Sequence, residues 1–169
     1  MSQGVDADAS LLEASDEVLL RQVHPDQFPN GVLSKVAFFP SPRDQGLLST
    51  RRNRVGAEQA CLDWRASSRE SVGTWGVSVG EFKGVDVAAY DDSHLPGQPA
   101  GHASADFTSY DRAKQVQKGR KLREKAKARG RLFPADQDET AEADTSEPAI
   151  TDPVVRDRES SDSDGPRTV

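Results

Sequence analysis

The stretch TWGVSVGEF, residues 74–82, indicates the fold class of this chain more clearly than any other segment. Trp75, Val77 and Val79 alternate with small or polar residues. A period of two places them on one face of an extended chain. The stretch therefore predicts a β-strand with a buried face.

Other short apolar segments lie on both sides of this stretch and have the composition of strands, because they are bounded by turn-forming residues. They occupy residues 36–39, 47–50, 85–89 and 103–107. We therefore expect a sheet that is assembled from several short strands.

Helical patterns appear between these strands. Apolar residues spaced i, i+3, i+4 and i+7 from Ala57 predict a helix over 56–67, in which Cys61 is a buried apolar side chain. An acidic start at Asp16 predicts a short helix that reaches Val23.

A basic helix is predicted over 109–130, and Gly130 is expected at its C-terminal cap. The order of the elements is not the repeating strand–helix–strand order of a parallel sheet. The sequence therefore predicts an α+β fold, with a small mixed or antiparallel sheet and two or three helices.

One domain is expected over residues 16–133. Residues 1–15 are small, polar and acidic, which predicts a disordered N-terminus. Residues 134–169 are acidic and contain no aromatic residue, so we expect a disordered acidic tail.

Charge is distributed unevenly along the chain, although the net charge is only -6. Residues 112–131 contain ten Lys or Arg and one acid, which is a net charge of +9. The preceding residues, 1–111, have a net charge of -7, and residues 132–169 have a net charge of -8. A basic segment therefore lies between two acidic ones.

The chain has one cysteine, Cys61, so an intrachain disulfide is excluded and a reducing compartment is favoured. The N-terminus lacks the basic and apolar regions of a signal peptide. No apolar run approaches the roughly 20 residues that span a bilayer. We therefore expect a cytoplasmic location and no membrane partner.

Three short motifs follow one another in the sequence. They are LLRQVHP at 19–25, AFFPSPRDQGLLS at 37–49 and HASADF at 102–107. The order of Leu-x-Arg-x-Val-His-Pro, Ala-Phe-x-Pro-x-x-x-Asp-x-x-x-Leu-Ser and a late His-Ala strand motif resembles that in a set of small bacterial α+β proteins. This resemblance covers residues 19–107. It implies an architecture and a bacterial origin, and it implies no activity.

The candidate catalytic residues are His24, Arg51 and His102, and Asp44 and Ser49 also lie near predicted strand ends. Histidine is a general acid or base near neutral pH. A pocket of these side chains would suit nucleotide or ADP-ribosyl chemistry. The alternative is that His24 caps a turn and His102 hydrogen-bonds a loop carbonyl.

A metal site could use carboxylate and imidazole ligands from Asp91, Asp92, His94 and His102. Their spacing matches no compact metal-binding motif, and the segment is rich in Gly and Pro. We therefore expect these residues to be solvated, with no metal site and no cofactor.

The basic segment carries the candidate nucleic-acid-binding residues, because Lys and Arg side chains contact the phosphate backbone. These residues are Arg112, Lys114, Lys118, Arg120, Lys121, Arg123, Lys125, Lys127, Arg129 and Arg131. A solvated helix surface with no ligand is the alternative.

Three functions remain open from the sequence. The lack of a catalytic motif and the charged flanking segments favour a non-catalytic binding or accessory protein that acts through a protein partner. The first alternative is a nucleic-acid-binding accessory protein that uses the basic helix, residues 110–131. The second alternative is an enzyme with an Arg/His pocket.

Overall fold

A computed structural model describes residues 4–136 of the chain. Its six strands are β1 (Ser10–Leu11), β2 (Val18–Val23), β3 (Leu47–Arg52), β4 (Gly73–Ser78), β5 (Ala88–Asp91) and β6 (His102–Asp106). They form one sheet in the order β1-β5-β6-β3-β2-β4, and every neighbouring pair is antiparallel. The predicted α+β fold is confirmed, and the sheet is antiparallel instead of mixed.

Three α-helices accompany the sheet within the described residues. They are α1 (Ala57–Ala66), α2 (Val79–Lys83) and α3 (Arg112–Arg129). The predictions of a helix over 56–67 and of a basic helix near 109–130 are confirmed. Gly130 is the C-cap of α3 and has a φ of 83°, a conformation that favours glycine.

Strand β2 corrects the prediction of a short helix before Val23. All six of its residues pair with β4, and both of its faces are covered. Leu19 and Val23 belong to the main core, whereas Leu20 is buried outside that cluster. Burial on two faces removes the apolar–polar alternation, so the sequence pattern does not reveal the strand.

The apolar run 36–39 is not a strand. Residues Lys35–Phe38 form a 3₁₀ helix, and the Ser34 side chain accepts a hydrogen bond from the Val36 amide at its start. Ala37, Phe38 and Phe39 are buried in the core. The apolar character of this run therefore reflects burial and not an extended backbone.

Two predicted strands are shorter than expected. The alternation over 74–82 ends at Ser78, because the Ser78 and Glu81 side chains cap the start of α2 by reciprocal hydrogen bonds. The stretch 85–89 contributes only its last residues to β5, which begins at Ala88.

Both ends of the expected domain differ from the prediction. Residues 1–15 do not form a disordered N-terminus throughout, because Ser10 and Leu11 pair with Asp91 and Tyr90 of β5 and Leu12 is buried. At the other end, the structure also describes residues 134–136, and Ala135 forms a β-bridge with Leu132. The predicted acidic tail from residue 137 onward lies outside the described residues.

The sheet separates two layers of helix. Helix α3 packs against the 3₁₀ helix Lys35–Phe38 and against β4, next to the main core. Helix α1 packs against β2 and β4 and buries Ala60 and Cys61 outside that core. None of the helices described is long and apolar enough to cross a membrane.

Gly119 allows α3 to approach the core closely. A Cβ atom at this position would lie 2.4 Å from Cδ1 of Phe39 and 3.3 Å from the Lys35 carbonyl oxygen. Glycine costs about 1 kcal/mol in a helix relative to alanine. Its position here is explained by contact with a buried ring and not by helix propensity.

We predict that Gly119→Ala lowers the free energy of unfolding by about 1 to 2 kcal/mol, because the overpacking penalty exceeds the gain in helix propensity. Gln117→Ala, on the exposed side of the same helix, is the matched control and should change stability by less than about 0.5 kcal/mol. Urea denaturation of both variants measures this difference. A Gly119→Ala protein as stable as the control would contradict the close approach.

Candidate functional site

Four polar side chains from β3, from β6 and from the residue after β5 form a continuous hydrogen-bonded chain. Ser49 Oγ lies 2.7 Å from His102 Nε2, and His102 Nδ1 lies 2.5 Å from Asp92 Oδ1. The Ser104 hydroxyl donates to the other carboxylate oxygen, Asp92 Oδ2, at 2.7 Å. His102, Asp92 and Ser104 are buried, and Ser49 is half-buried.

The sheet register assembles this chain. Ser49 pairs with Ser104, and Arg51 pairs with His102, in the ladder between β3 and β6. Paired and alternate residues share a face of an antiparallel sheet, so these side chains point to the same side. Asp92 directly follows β5, and the loop that it starts returns to the sheet at His102.

The ionisation of Asp92 determines the role of each histidine nitrogen. Burial alone would raise the pKa of Asp92, but hydrogen bonds from His102 and Ser104 outweigh it and lower the pKa below the ordinary value. An ionised carboxylate only accepts hydrogen bonds, so His102 Nδ1 carries the proton. In the neutral ring Nε2 is then the acceptor for the Ser49 hydroxyl.

This connectivity is that of a serine nucleophile with its base and orienting acid. In such an arrangement Nε2 of His102 can accept the Ser49 proton, and Asp92 would hold the required tautomer and stabilise the resulting imidazolium ion. The arrangement is recognised by geometry and not by order in the chain. Its order here is Ser49, Asp92, His102.

Ser49 and His102 open into a cavity of about 810 Å³. The cavity lies between the sheet, α1 and the loop before β6; its other lining residues are Leu20, Arg21, Gln22, Asp44, Thr50, Arg51, Asp63, Trp64, Ser67, Arg69, Gly97, Gln98 and Pro99. Its size falls within the usual range for small-molecule sites. The serine hydroxyl therefore has room for a substrate beside it.

Arg21 lines the cavity beside Ser49. The ladder between β2 and β3 contains only the pairs Leu19–Arg52 and Leu20–Arg51, so the two strands separate beyond them. Arg21 bridges this separation by donating to the carbonyl oxygens of Ser49 at 2.8 Å and Ala37 at 2.9 Å. Burial lowers the pKa of Arg21 to about 10, against the opposing effect of Asp44, so the side chain remains cationic at neutral pH.

Two more arginines line the cavity, and they differ in how fully their guanidinium groups are paired. The Arg51 guanidinium is fully engaged, since it contacts Asp63 at 3.0 Å and donates twice to the Ala100 carbonyl oxygen. Arg69 is exposed and lies 4.6 Å from the centre of the Trp64 ring. Among residues 4–136, no carboxylate forms an ion pair with Arg69.

The structure brings together two of the three sequence-predicted catalytic candidates. Arg51 and His102 line the same cavity, whereas His24 is not part of its lining. His24 Nδ1 accepts a hydrogen bond from the Asp26 amide. His24 therefore caps a turn, which agrees with the non-catalytic alternative given for it above. The imidazole ring of His102 bonds to the side chains of Ser49 and Asp92 and not to a loop carbonyl.

Asp91, Asp92, His94 and His102 are expected from the sequence to be solvated, and this expectation is wrong for Asp92 and His102, which are buried. No group of three or more potential metal ligands occurs within the described residues. Asp91 instead contacts Arg52 at 2.6 Å. Burial would raise the pKa of Asp91, but hydrogen bonds from Ser93 and Arg52 lower it to about 2.

The ten basic candidates lie on α3 or just beyond its end, at Arg131. They are therefore separate from the residues that line the cavity.

Comparisons with protein-family models, with curated proteins and with solved structures found no match to this chain. The function is therefore argued from the residues themselves.

We predict that His102 is protonated at Nδ1 and accepts at Nε2 in the neutral ring. In Asp92→Asn the amide nitrogen can donate to Nδ1, so the proton should move to Nε2. Long-range proton–nitrogen NMR spectra of histidine-labelled protein distinguish the two tautomers. The variants His24→Gln and His94→Gln together assign the signals of the three histidines, and neither should change those of His102. A wild-type His102 that is protonated at Nε2 in the neutral ring would contradict the assigned hydrogen bonds.

Proposed function

We propose that this protein is a hydrolase in which Ser49 is the nucleophile, His102 the general base and acid, and Asp92 the residue that orients His102. The observation that supports the proposal is the hydrogen-bonded chain from Ser49 through His102 to Asp92, which ends in a cavity. This develops the expected Arg/His pocket, with a serine as its reactive group.

The proposed reaction is transfer of an acyl group to water. Ser49 Oγ attacks the substrate carbonyl carbon while His102 Nε2 takes the hydroxyl proton, and His102 returns this proton to the leaving group as the carbon–leaving-group bond breaks. Water then attacks the acyl-serine ester, gives a proton to His102, and releases the acid as Ser49 regains its proton. Asp92 stays ionised throughout.

Arg21 would support this reaction electrostatically. Its guanidinium is fixed by the Ser49 and Ala37 carbonyl oxygens and lines the cavity beside the nucleophile. A cation held in advance near a developing oxyanion stabilises the transition state without reorganisation. The hydrogen bond from Arg21 to the Ser49 carbonyl oxygen also fixes the backbone of the nucleophile.

A fluorophosphonate probe tests the proposal, because it forms a covalent bond only with an activated serine. We expect labelling of Ser49, identified by mass spectrometry of the digested protein. Labelling should disappear in Ser49→Ala and fall at least about a hundredfold in rate in His102→Gln. Ser67→Ala is the matched control, because Ser67 lines the same cavity and contacts the Trp64 carbonyl, and it should label normally.

Equal labelling of wild type and Ser49→Ala would contradict Ser49 as the nucleophile and would place the reactive serine elsewhere. Absence of labelling in the wild-type protein would contradict a serine hydrolase and would favour the function expected from the sequence, a non-catalytic accessory protein with a protein partner. The probe experiment therefore separates the enzyme from the binding protein.

The cavity favours a substrate with an anionic group. Arg51 is neutralised by Asp63, whereas Arg69 has no carboxylate partner among the described residues and is held over Trp64. A guanidinium that is already oriented pays less entropy when it binds a carboxylate or phosphate. Arg69 is therefore the proposed contact for the acidic end of the substrate.

We predict that mono-4-nitrophenyl succinate is hydrolysed with a lower KM than 4-nitrophenyl acetate, since only the succinate ester carries a carboxylate. Arg69→Gln should remove this difference and leave kcat for the acetate ester unchanged. Arg43→Gln, an exposed arginine outside this cavity, is the control. If Arg69→Gln retains the difference in KM, Arg69 is not the anion contact.

A further inference from the structure

The ten basic residues after Asp111 fall into two groups. Four of them hold α3 and its end against the protein. Arg112 donates to the Pro40 carbonyl oxygen, Lys118 to that of Val85, and Arg129 to that of Gly76, while Arg131 pairs with Asp136. These four side chains are part of the packing that orients the helix.

The remaining six project from the helix. Arg123 pairs with Glu124, which is the only acidic residue of α3. Five others are exposed and form no ion pair or side-chain hydrogen bond with the described residues; they are Lys114, Arg120, Lys121, Lys125 and Lys127. We call these five residues the α3 basic face.

Three of the five side chains of the α3 basic face lie along one line of the helix. At 3.6 residues per turn, Lys114, Lys121 and Lys125 fall within an arc of about 40° along one line of the helix. A rise of 1.5 Å per residue spaces them by about 10 Å and about 6 Å along the axis. Gly119, Leu122 and Ala126 are buried on a neighbouring side of the helix, centred roughly 110° around the axis from these lysines, and their packing fixes the helix in place.

The chemistry of the α3 basic face selects among anionic partners. The exposed large apolar side chains of the described residues are Leu11, Val32, Val36 and Leu62, and none lies on α3. A membrane-bound helix needs an apolar face, and protein interfaces are centred on buried aromatic or apolar anchors. The face also lacks an aromatic residue on which a base could stack.

We propose that the α3 basic face binds the sugar–phosphate backbone of nucleic acid, without reading its sequence. A row of cations with no carboxylate partners among residues 4–136 matches a polymer with regularly spaced phosphates, and such binding releases counterions. The α3 basic face does not line the Ser49 cavity. Nucleic-acid binding and serine hydrolase activity can therefore be tested independently.

The test is fluorescence anisotropy of the full-length chain with a labelled DNA duplex and a labelled single-stranded RNA, across a series of salt concentrations. We expect binding that weakens steeply with salt. The variant Lys114→Gln/Lys121→Gln/Lys125→Gln should reduce the slope of log affinity against log salt by about 0.9 per lysine for the duplex and by about 0.7 for the single strand. Comparison of the two probes shows which nucleic acid the face prefers.

The control variant Arg43→Gln/Arg54→Gln/Lys83→Gln removes the same number of charges from exposed residues outside α3 and outside the Ser49 cavity. It should retain the wild-type slope. Equal losses in the two triple variants would show an effect of net charge alone and would overturn the proposal, as would a wild-type protein that binds neither probe at low salt. Ser49→Ala should bind like the wild type.

Discussion

The ladder between β3 and β6 pairs five residues of each strand, from Leu47 with Asp106 to Arg51 with His102. Most of the other features depend on this register. On one face of the ladder Leu48, Ala103 and Ala105 are buried in the core. On the other face the same pairing brings Ser49 and His102 within hydrogen-bond distance. A shift of one residue would exchange the two faces, so the core and the site are specified together.

The polar side of the sheet is stable because its buried groups are paired. Asp92 receives hydrogen bonds on both carboxylate oxygens, and Arg51 and Arg21 satisfy backbone carbonyl groups where the chain leaves regular structure. Burial without such partners would cost several kcal/mol for each charged group. The side chains that organise the cavity therefore also keep the loop before β6 and the separated strands β2 and β3 in place.

Charge serves two different purposes in this chain. Near the sheet, positive side chains are matched by carboxylates, as in the contacts of Arg52 with Glu17 and Asp91, and these contacts connect β3 with β5 and with the residue before β2. On α3 most of the outward cations have no such match within the part of the chain that the structure describes. The helix is held by apolar burial and by its anchoring residues, so these outward cations are not needed for its attachment. That separation supports a binding role for them.

Local pattern alone determined several features of this protein. The spacing of Ala57, Ala60, Cys61 and Trp64 predicted α1, the alternation around Val77 predicted β4, and charge and composition predicted α3. These predictions succeeded because each element has one face buried and one face exposed, which leaves a period in the sequence. Arg51 and His102 were also identified as residues that could share a pocket.

The tertiary structure alone decided the remaining features. Strand β2 is covered on both faces, so no apolar–polar alternation marks it in the sequence. The run 36–39 is apolar because it is buried, and its backbone forms a 3₁₀ helix and not a strand. Ser49 and His102 are 53 positions apart and meet only through the strand register. Asp92 lies beside His102 because β5 and β6 are paired, so the loop that leaves β5 at Asp92 comes back to the same edge of the sheet at His102. Local sequence patterns do not record contacts of this kind, because they arise from the pairing of distant segments.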